Sequence, residues 1–228
     1  MTEELLFSEW RTYEKVVSHD YMHHVLYFDD LVLELRRRDA GALNVLDLGC
    51  GDARPALALL NQIEVTRYVG IDESPEALRC AARALEGSGF PVILHAGDMM
   101  AGIDEVQGAF DLIIASYSLH HLTPDAKQSL LAKCRGRLNP GGVLAVIDVF
   151  LQPGENRDEY IQRWHHNARQ QFLQLADREL DILLDHVAAR DLPESISTYR
   201  RLAQSAGFAD VRVVREGPER LNQLVLLS

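Results

Sequence analysis

The chain reads as an α/β protein built on a doubly wound, mostly parallel sheet, and three features predict this. Short apolar runs alternate with helical segments along most of its 228 residues. Three helices open on a start signal followed by proline, at Arg54-Pro55, Ser74-Pro75 and Thr123-Pro124. Three of the apolar runs close on an acid, at Asp47, Asp72 and Asp98, so the carboxylates fall at the carboxyl ends of strands.

Periodicity and punctuation place strands near 43–48, 67–72, 91–95, 110–116 and 142–149, with right-handed crossovers between parallel neighbours. The basic run Arg36-Arg37-Arg38 precedes Asp39-Ala40-Gly41 at the end of an earlier helix, where the dipole favours cations. Asn139-Pro140-Gly141-Gly142 turns the chain into the fifth strand. Ser195 to Ala206 reads as a helix closed by Gly207, and strands near 210–215 and 221–227 lie close enough to form an antiparallel hairpin, which brings the sheet to seven strands. With 47% hydrophobic residues and no linker or repeat, the chain is expected to form one domain. Its parts are an N-terminal helical lid (1–42), a ligand-binding core (43–150), a helical cap insertion (151–192) and a closing helix and hairpin (193–228).

The segment Val45-Leu46-Asp47-Leu48-Gly49-Cys50-Gly51-Asp52-Ala53 points to a ligand. Gly49 and Gly51 let the backbone turn and approach a bound group, with a helix N-terminus just beyond. A dinucleotide fingerprint would need glycine at position 54, which is Arg54. Asp72 is the residue type that accepts from ribose hydroxyls, and Asp98 could accept from an exocyclic adenine amine. A site lined by Asp47, Asp72 and Asp98 repels phosphate but suits a ligand carrying a sulfonium and an ammonium. S-adenosyl-L-methionine has those groups. Each acid also has a plainer reading, as the N-cap of the helix after its strand.

Four ordered blocks carry a resemblance: VLDLGCGDA (45–53), VGIDESPEAL (69–78), HAGDM (95–99), and FDLIIASYSLHHL (110–122) with LNPGGVLAVID (138–148). The chain resembles the class I S-adenosylmethionine-dependent methyltransferases over roughly 43–150, with a weaker echo over 193–228. The resemblance implies a Rossmann-like seven-stranded sheet ending in an antiparallel hairpin. It also implies that Gly49 and Gly51 face the methionine part and that Asp47 orients that loop and the amino group. Asp72 would hold the ribose, with Glu73 beside it, Asp98 and the Met99 backbone would read adenine, and Ser116 would lie beneath the sulfonium. Ala53 departs from the pattern, since many members have glycine there.

The implied activity is methyl transfer by in-line displacement, in which alignment supplies roughly 7–11 kcal/mol of barrier reduction and a base adds about 10²–10⁴-fold for a protonated acceptor. A net charge of −11 disfavours nucleic acid and favours a small-molecule acceptor. Cys50, Cys80 and Cys134 lack C-x-x-C spacing, and the N-terminus carries neither a signal peptide nor a membrane span, which fits a cytoplasmic protein. Histidines come in adjacent pairs, 23–24, 120–121 and 165–166; neighbours do not share a helix face, so no metal site is expected. Tyr117, His120 and His165 are the candidates for meeting the acceptor, although His120 and His121 could equally brace their loop. Aromatics concentrate in the outer segments, at Phe7, Trp10 and Tyr13 and again at Tyr160, Trp164 and Phe172, whose spacing in multiples of four places them on one helical face, as core or as pocket wall. Two other functions are compatible with the core: a non-catalytic S-adenosylmethionine-binding protein and a nicotinamide-dependent oxidoreductase, the latter opposed by Arg54.

Overall fold

In the computed structural model, which describes residues 12–228, the first apolar run becomes the middle of the sheet. Leu43–Leu48 (β1) pairs in parallel with Val65–Asp72 (β2) on one side and Phe110–Ser116 (β4) on the other. Val92–Ala96 (β3) extends the sheet beyond β2, and Leu138–Leu151 (β5) extends it beyond β4. The two-residue strand Glu194–Ser195 (β6) adds to the end of β5. Val211–Glu216 (β7) and Asn222–Leu227 (β8) form a hairpin whose second strand runs antiparallel to β5. The order is β3-β2-β1-β4-β5-β8-β7, with β6 off this path. Successive connections therefore leave β1 in opposite directions, and the strand ends part between β1 and β4, the place where open α/β sheets bind ligands.

Alternation of side chains across each strand builds two cores. Val45, Tyr68, Leu112, Ile114 and Ala145 face one way, against the helices His24–Arg37 (α2), Arg54–Leu60 (α3) and Pro75–Ala84 (α4). Leu46, Leu48, Ile71, Ile113 and Val146 face the other way, against Met99–Glu105 (α5), Pro124–Arg137 (α6) and Ile196–Ser205 (α9). Two expected helix starts have the expected chemistry. Ser74 Oγ accepts from the Ala77 amide at 3.2 Å, Thr123 Oγ1 accepts from the Ala126 amide at 3.3 Å, and proline follows each.

Three details add to or differ from the sequence reading. No proline-marked start announces helix α5, which is short and carries Gly102 in its middle; only the cap reading of Asp98 points to it. Strand β5 begins at Leu138, so the Asn139-Pro140-Gly141-Gly142 turn is an irregularity within the β4–β5 pairing, between Phe110 and Leu112. The residue that turns left-handed after α2 is Asp39, with φ 51°.

A third apolar cluster covers the carboxyl ends of the strands. It joins Val16, from the helical residues 12–18 (α1), to the paired helices Arg157–Gln171 (α7) and Asp177–Arg190 (α8), and to Val149 and Leu221 below. Tyr160, Trp164 and Ala168 form its inward stripe, and Phe172 ends α7 with its ring stacked on Tyr21 at 4.4 Å. Phe7 and Trp10 lie outside the described residues. Lys15 Nζ binds Glu179 at 2.6 Å, tying α1 to α8. Among the described residues, no helix is long and apolar enough to cross a membrane.

The end of α8 is stitched to the segment after β4. The Leu192 amide donates to the His120 carbonyl at 2.7 Å. Lys127, only 1% exposed, sends its ammonium to the Leu122 and Leu192 carbonyls at 2.6 and 2.5 Å. Replacing Lys127 with methionine keeps the apolar stem but leaves both carbonyls without that donor, so we expect a loss of about 1–3 kcal/mol in urea unfolding. A variant as stable as the parent would show that the stitch contributes nothing net.

Candidate active site

The bend after β1 is held by backbone contacts on two sides. The Gly49 and Cys50 amides both donate to the Ile71 carbonyl, at 2.8 and 3.0 Å, and the Ser118 hydroxyl donates to the Leu48 carbonyl at 2.9 Å. Gly49 has φ +73°, and a Cβ there would stand 2.7 Å from Ser118 Cβ. Gly51 has φ +54°, and a Cβ there would stand 2.9 Å from the Tyr13 hydroxyl. Both positions thus favour glycine for conformation, and at Gly49 the Ser118 Cβ leaves no room for a side chain either.

Asp72 braces this bend while facing open space. One carboxylate oxygen accepts from the Gly51 amide at 2.8 Å and the other from the Ser74 amide at 2.8 Å, and each keeps a lone pair for a ligand. Asp72 lines a cleft of about 1330 Å³ along with Gly49, Gly51, Glu73, Met99 and Ser116. Asp47 and Asp98 are not in its wall. Asp98 takes the plainer of its two expected roles, accepting from the Ala101 amide at 3.1 Å as the N-cap of α5, beside the cleft-lining Gly97 and Met99. Asp47 lies behind the bend at 3% exposure and accepts from the Tyr68 hydroxyl at 2.8 Å. Burial pushes its carboxyl up to about 7; the Tyr68 hydrogen bond opposes the shift and the Asp72 charge adds to it. The Ser116 hydroxyl, also on the cleft wall, is a buried polar atom with no partner in the protein.

The other half of the cleft is built after β4. Tyr117 adopts φ 53° and lines the cleft, but its hydroxyl donates to the Met22 carbonyl, so the phenol fastens the N-terminal segment and is not aimed at an acceptor. His120 and His121 follow on a single 3₁₀ turn, Leu119–His121. Asp148, fully buried at the end of β5, organises that turn. One of its oxygens accepts from the Leu119 and His120 amides at 3.1 and 3.0 Å; the other accepts from the Val149 amide at 2.8 Å and meets His120 Nδ1 at 2.5 Å. With the carboxylate engaged as acceptor, the proton belongs on Nδ1, and Nε2 is left facing Asp191 Oδ1 at 3.7 Å.

His165 is corrected. It lies on α7 one position beyond the inward residue Trp164, its Nε2 meets the Leu184 carbonyl at 3.2 Å, and it is not on the cleft wall. It fastens α7 to α8. Trp164 combines both roles open to it, as core of the third cluster and as cleft wall. The sequence reading missed Asp148, Asp191, His186 and Tyr13 as site residues. Asp148 carried a usable signal, since it is a fourth acid at the carboxyl end of a parallel strand; the other three are brought in only by the packing of α1 and α8.

The Asp47 setting has a stability consequence. At low pH the carboxyl is protonated in folded and unfolded chains alike; as pH rises the unfolded chain ionises first, from roughly pH 4, so the folded state loses stability until Asp47 itself ionises near 7. Asparagine can still accept from Tyr68 and carries no charge. The melting temperature of ligand-free Asp47→Asn should therefore gain on the parent between about pH 4 and about pH 8, by the equivalent of a few kcal/mol. A gap that does not change with pH would count against a raised Asp47.

Residues 45–142 match a family model described as a methyltransferase domain. Carboxy-S-adenosyl-L-methionine synthase of Photorhabdus laumondii is 26% identical over 175 residues, covering 74% of this chain and 67% of the synthase. Among solved structures, an O-methyltransferase family 2 protein from Planctomyces limnophilus in complex with apigenin aligns with TM-score 0.57 and 25% identity, over 83% of this chain and 50% of that one. Human N-acetylserotonin methyltransferase in complex with S-adenosylmethionine aligns with TM-score 0.61 and 19% identity, over 98% of this chain and 55% of the human one, a likeness of fold. The chain thus spans about half the length of these two solved proteins.

Proposed function

We propose that this chain, a member of the class I S-adenosylmethionine-dependent methyltransferases, moves a methyl group to a small-molecule acceptor held between the glycine bend and the α7–α8 helix pair. The observation that carries the reading is one continuous cleft. It runs from Gly49, Gly51 and Asp72 past Ser116 to His120, His186 and Asp191, and at about 1330 Å³ it exceeds what a single small ligand needs. S-adenosylmethionine, when bound, supplies a methyl group activated by its sulfonium.

The residues fit that cofactor on three counts. The glycine bend turns the main chain sharply at the cleft wall, with Gly49 and Gly51 both lining the cleft at positive φ. Asp72 offers free lone pairs for hydroxyls, and Ser116, whose buried hydroxyl has no protein partner, belongs to the same wall. Among the described residues the wall carries Glu14, Asp72, Glu73, Glu76 and Asp191 against one arginine, Arg79, which is already paired with Glu76, so it suits cationic groups and opposes phosphate. Asp47, buried and hydrogen-bonded to the neutral Tyr68 hydroxyl, has its carboxyl pushed up to about 7, and an ammonium bound at the bend would favour its ionised form.

The acceptor end is apolar on one side and polar on the other. Val17, Leu183, Val187 and Trp164 exclude water, while His120, held by Asp148, and Asp191, held by the Tyr160 hydroxyl at 2.8 Å, form a polar corner. A hydroxyl or amine could place its proton between His120 Nε2 and Asp191 Oδ1, two acceptor atoms that face each other. The apigenin named in the Planctomyces structure is a hydroxylated aromatic of the kind such a corner fits.

Calorimetry with S-adenosylmethionine, S-adenosylhomocysteine and NAD⁺ tests the cofactor reading. Binding of the first two is expected and of NAD⁺ is not, and Asp72→Ala should weaken binding by about 10–100-fold. Binding of NAD⁺ alone would replace the reading with a nicotinamide-dependent enzyme. Incubation with methyl-labelled cofactor and fractionated source extract would identify the acceptor. With that acceptor, His120→Ala should lower kcat by about 10²-fold or more while sparing cofactor affinity, and His165→Ala should leave kcat within a few-fold. The opposite ranking would move the acceptor away from the His120 corner.

A further inference from the structure

His120, His121 and Asp191 offer a ring nitrogen each and a carboxylate oxygen that all lie within 4.8 Å of one another, at the polar corner of the cleft. We propose that this cluster is a binding site for a first-row divalent metal ion, with Zn²⁺ the best match to its mixed imidazole and carboxylate donors. Ligands at about 2.0–2.2 Å from such an ion stand roughly 3.4 Å apart in a tetrahedral site, so the 3.7 Å between His120 Nε2 and Asp191 Oδ1 needs little adjustment and the widest pair a larger closure.

Several features give the cluster the form of a built site rather than a chance meeting of side chains. His120 Nε2 and Asp191 Oδ1 face each other at 3.7 Å, too far apart for a hydrogen bond between them, and with the proton shared with Asp148 on Nδ1 the gap admits a cation. Each ligand is oriented by a second contact, as metal ligands commonly are. Asp148 holds His120 by Nδ1, the Tyr160 hydroxyl holds the other oxygen of Asp191, and the His121 ring lies against the backbone of Arg190. The main chains are fixed too, because the Leu192 amide donates to the His120 carbonyl and Arg157 Nε donates to the Asp191 carbonyl at 2.7 Å. Asp148 and Asp191 supply the negative charge that offsets a divalent ion. His186, whose ring centroid lies 5.5 Å from that of His121, is within reach as a further ligand.

The cluster also shows why adjacent histidines need not exclude a metal. A regular helix would point neighbours to different faces, whereas here the two rings pack edge to face at 4.1 Å on a 3₁₀ turn and the third donor comes from beyond α8. Three protein donors on a cleft wall leave coordination positions open toward the acceptor, where a hydroxyl would meet the ion directly.

The test uses the tag-free full chain, stripped with a chelator and titrated with Co²⁺ in the absence of cofactor. Visible d–d absorption saturating at one Co²⁺ per chain and abolished by Zn²⁺ is the expected result. His121→Ala and Asp191→Asn should each weaken binding by about 10–100-fold, and His166→Ala should not. S-adenosylhomocysteine binding, measured on each variant, separates loss of the metal site from loss of the fold; His121 is exposed, so its variant decides the matter if Asp191→Asn fails to fold. Absence of the absorption bands, or bands equally strong in His121→Ala and the parent, overturns the proposal, and neither result bears on cofactor binding.

Discussion

The site depends on how closely the bend after β1 approaches the start of the loop after β4. Gly49 and Ser118 meet there with no room for another carbon, and the Ser118 hydroxyl closes the last carbonyl of β1. Because strand order reverses between β1 and β4, this contact forms the floor of the crevice. Asp72 then reaches across from β2 to the Gly51 amide, so one carboxylate both shapes the bend and presents its remaining lone pairs to whatever lies above it. At the bend the binding surface is thus mostly main chain, and its shape rests on the positive φ of Gly49 and Gly51.

The four strand-end acids have separate tasks, although their positions in sequence are alike. Asp72 faces the cleft, Asp98 caps a helix, Asp47 is buried behind the bend, and Asp148 is consumed in holding a turn and a histidine. Local hydrogen-bond supply decides among these outcomes. An acid beside free helix amides caps them, and a buried one that meets only a tyrosine hydroxyl has nothing to offset its charge, so its pKa rises.

Strand positions, the proline-marked helix starts and the glycine bend were legible because each rests on local chemistry: alternation, N-caps, and positive φ. Helix α5 was legible only through its cap, Asp98, since seven residues with a central glycine leave too little periodicity, and β6, two residues long, was not legible. The roles of Asp98 and His165 could not be read from spacing, because each is set by a neighbour, the Ala101 amide in one case and the Leu184 carbonyl in the other. The acceptor corner was least legible. His120 and His121 were visible as a pair, but Asp191 follows them by some seventy positions and arrives through the packing of Tyr160, Trp164 and Leu184.

That packing also explains how the two halves of the cleft are kept in register. Helices α7 and α8 rest on Val149 and Leu221, at the ends of β5 and β8, so they ride on the same sheet that carries the glycine bend. Three polar ties then fix their position: Leu192 to His120, Lys127 to Leu122 and Leu192, and Tyr160 to Asp191. Each tie ends on or beside a residue of the acceptor corner. Burial of apolar surface supplies the adhesion, which is non-directional, and these directed bonds set the orientation. The consequence is a division of labour across one strand pair: β1 and β2 furnish a binding surface of main chain and carboxylate, while β4 and β5 furnish a turn whose side chains face a wall that the chain adds after the fifth strand is complete.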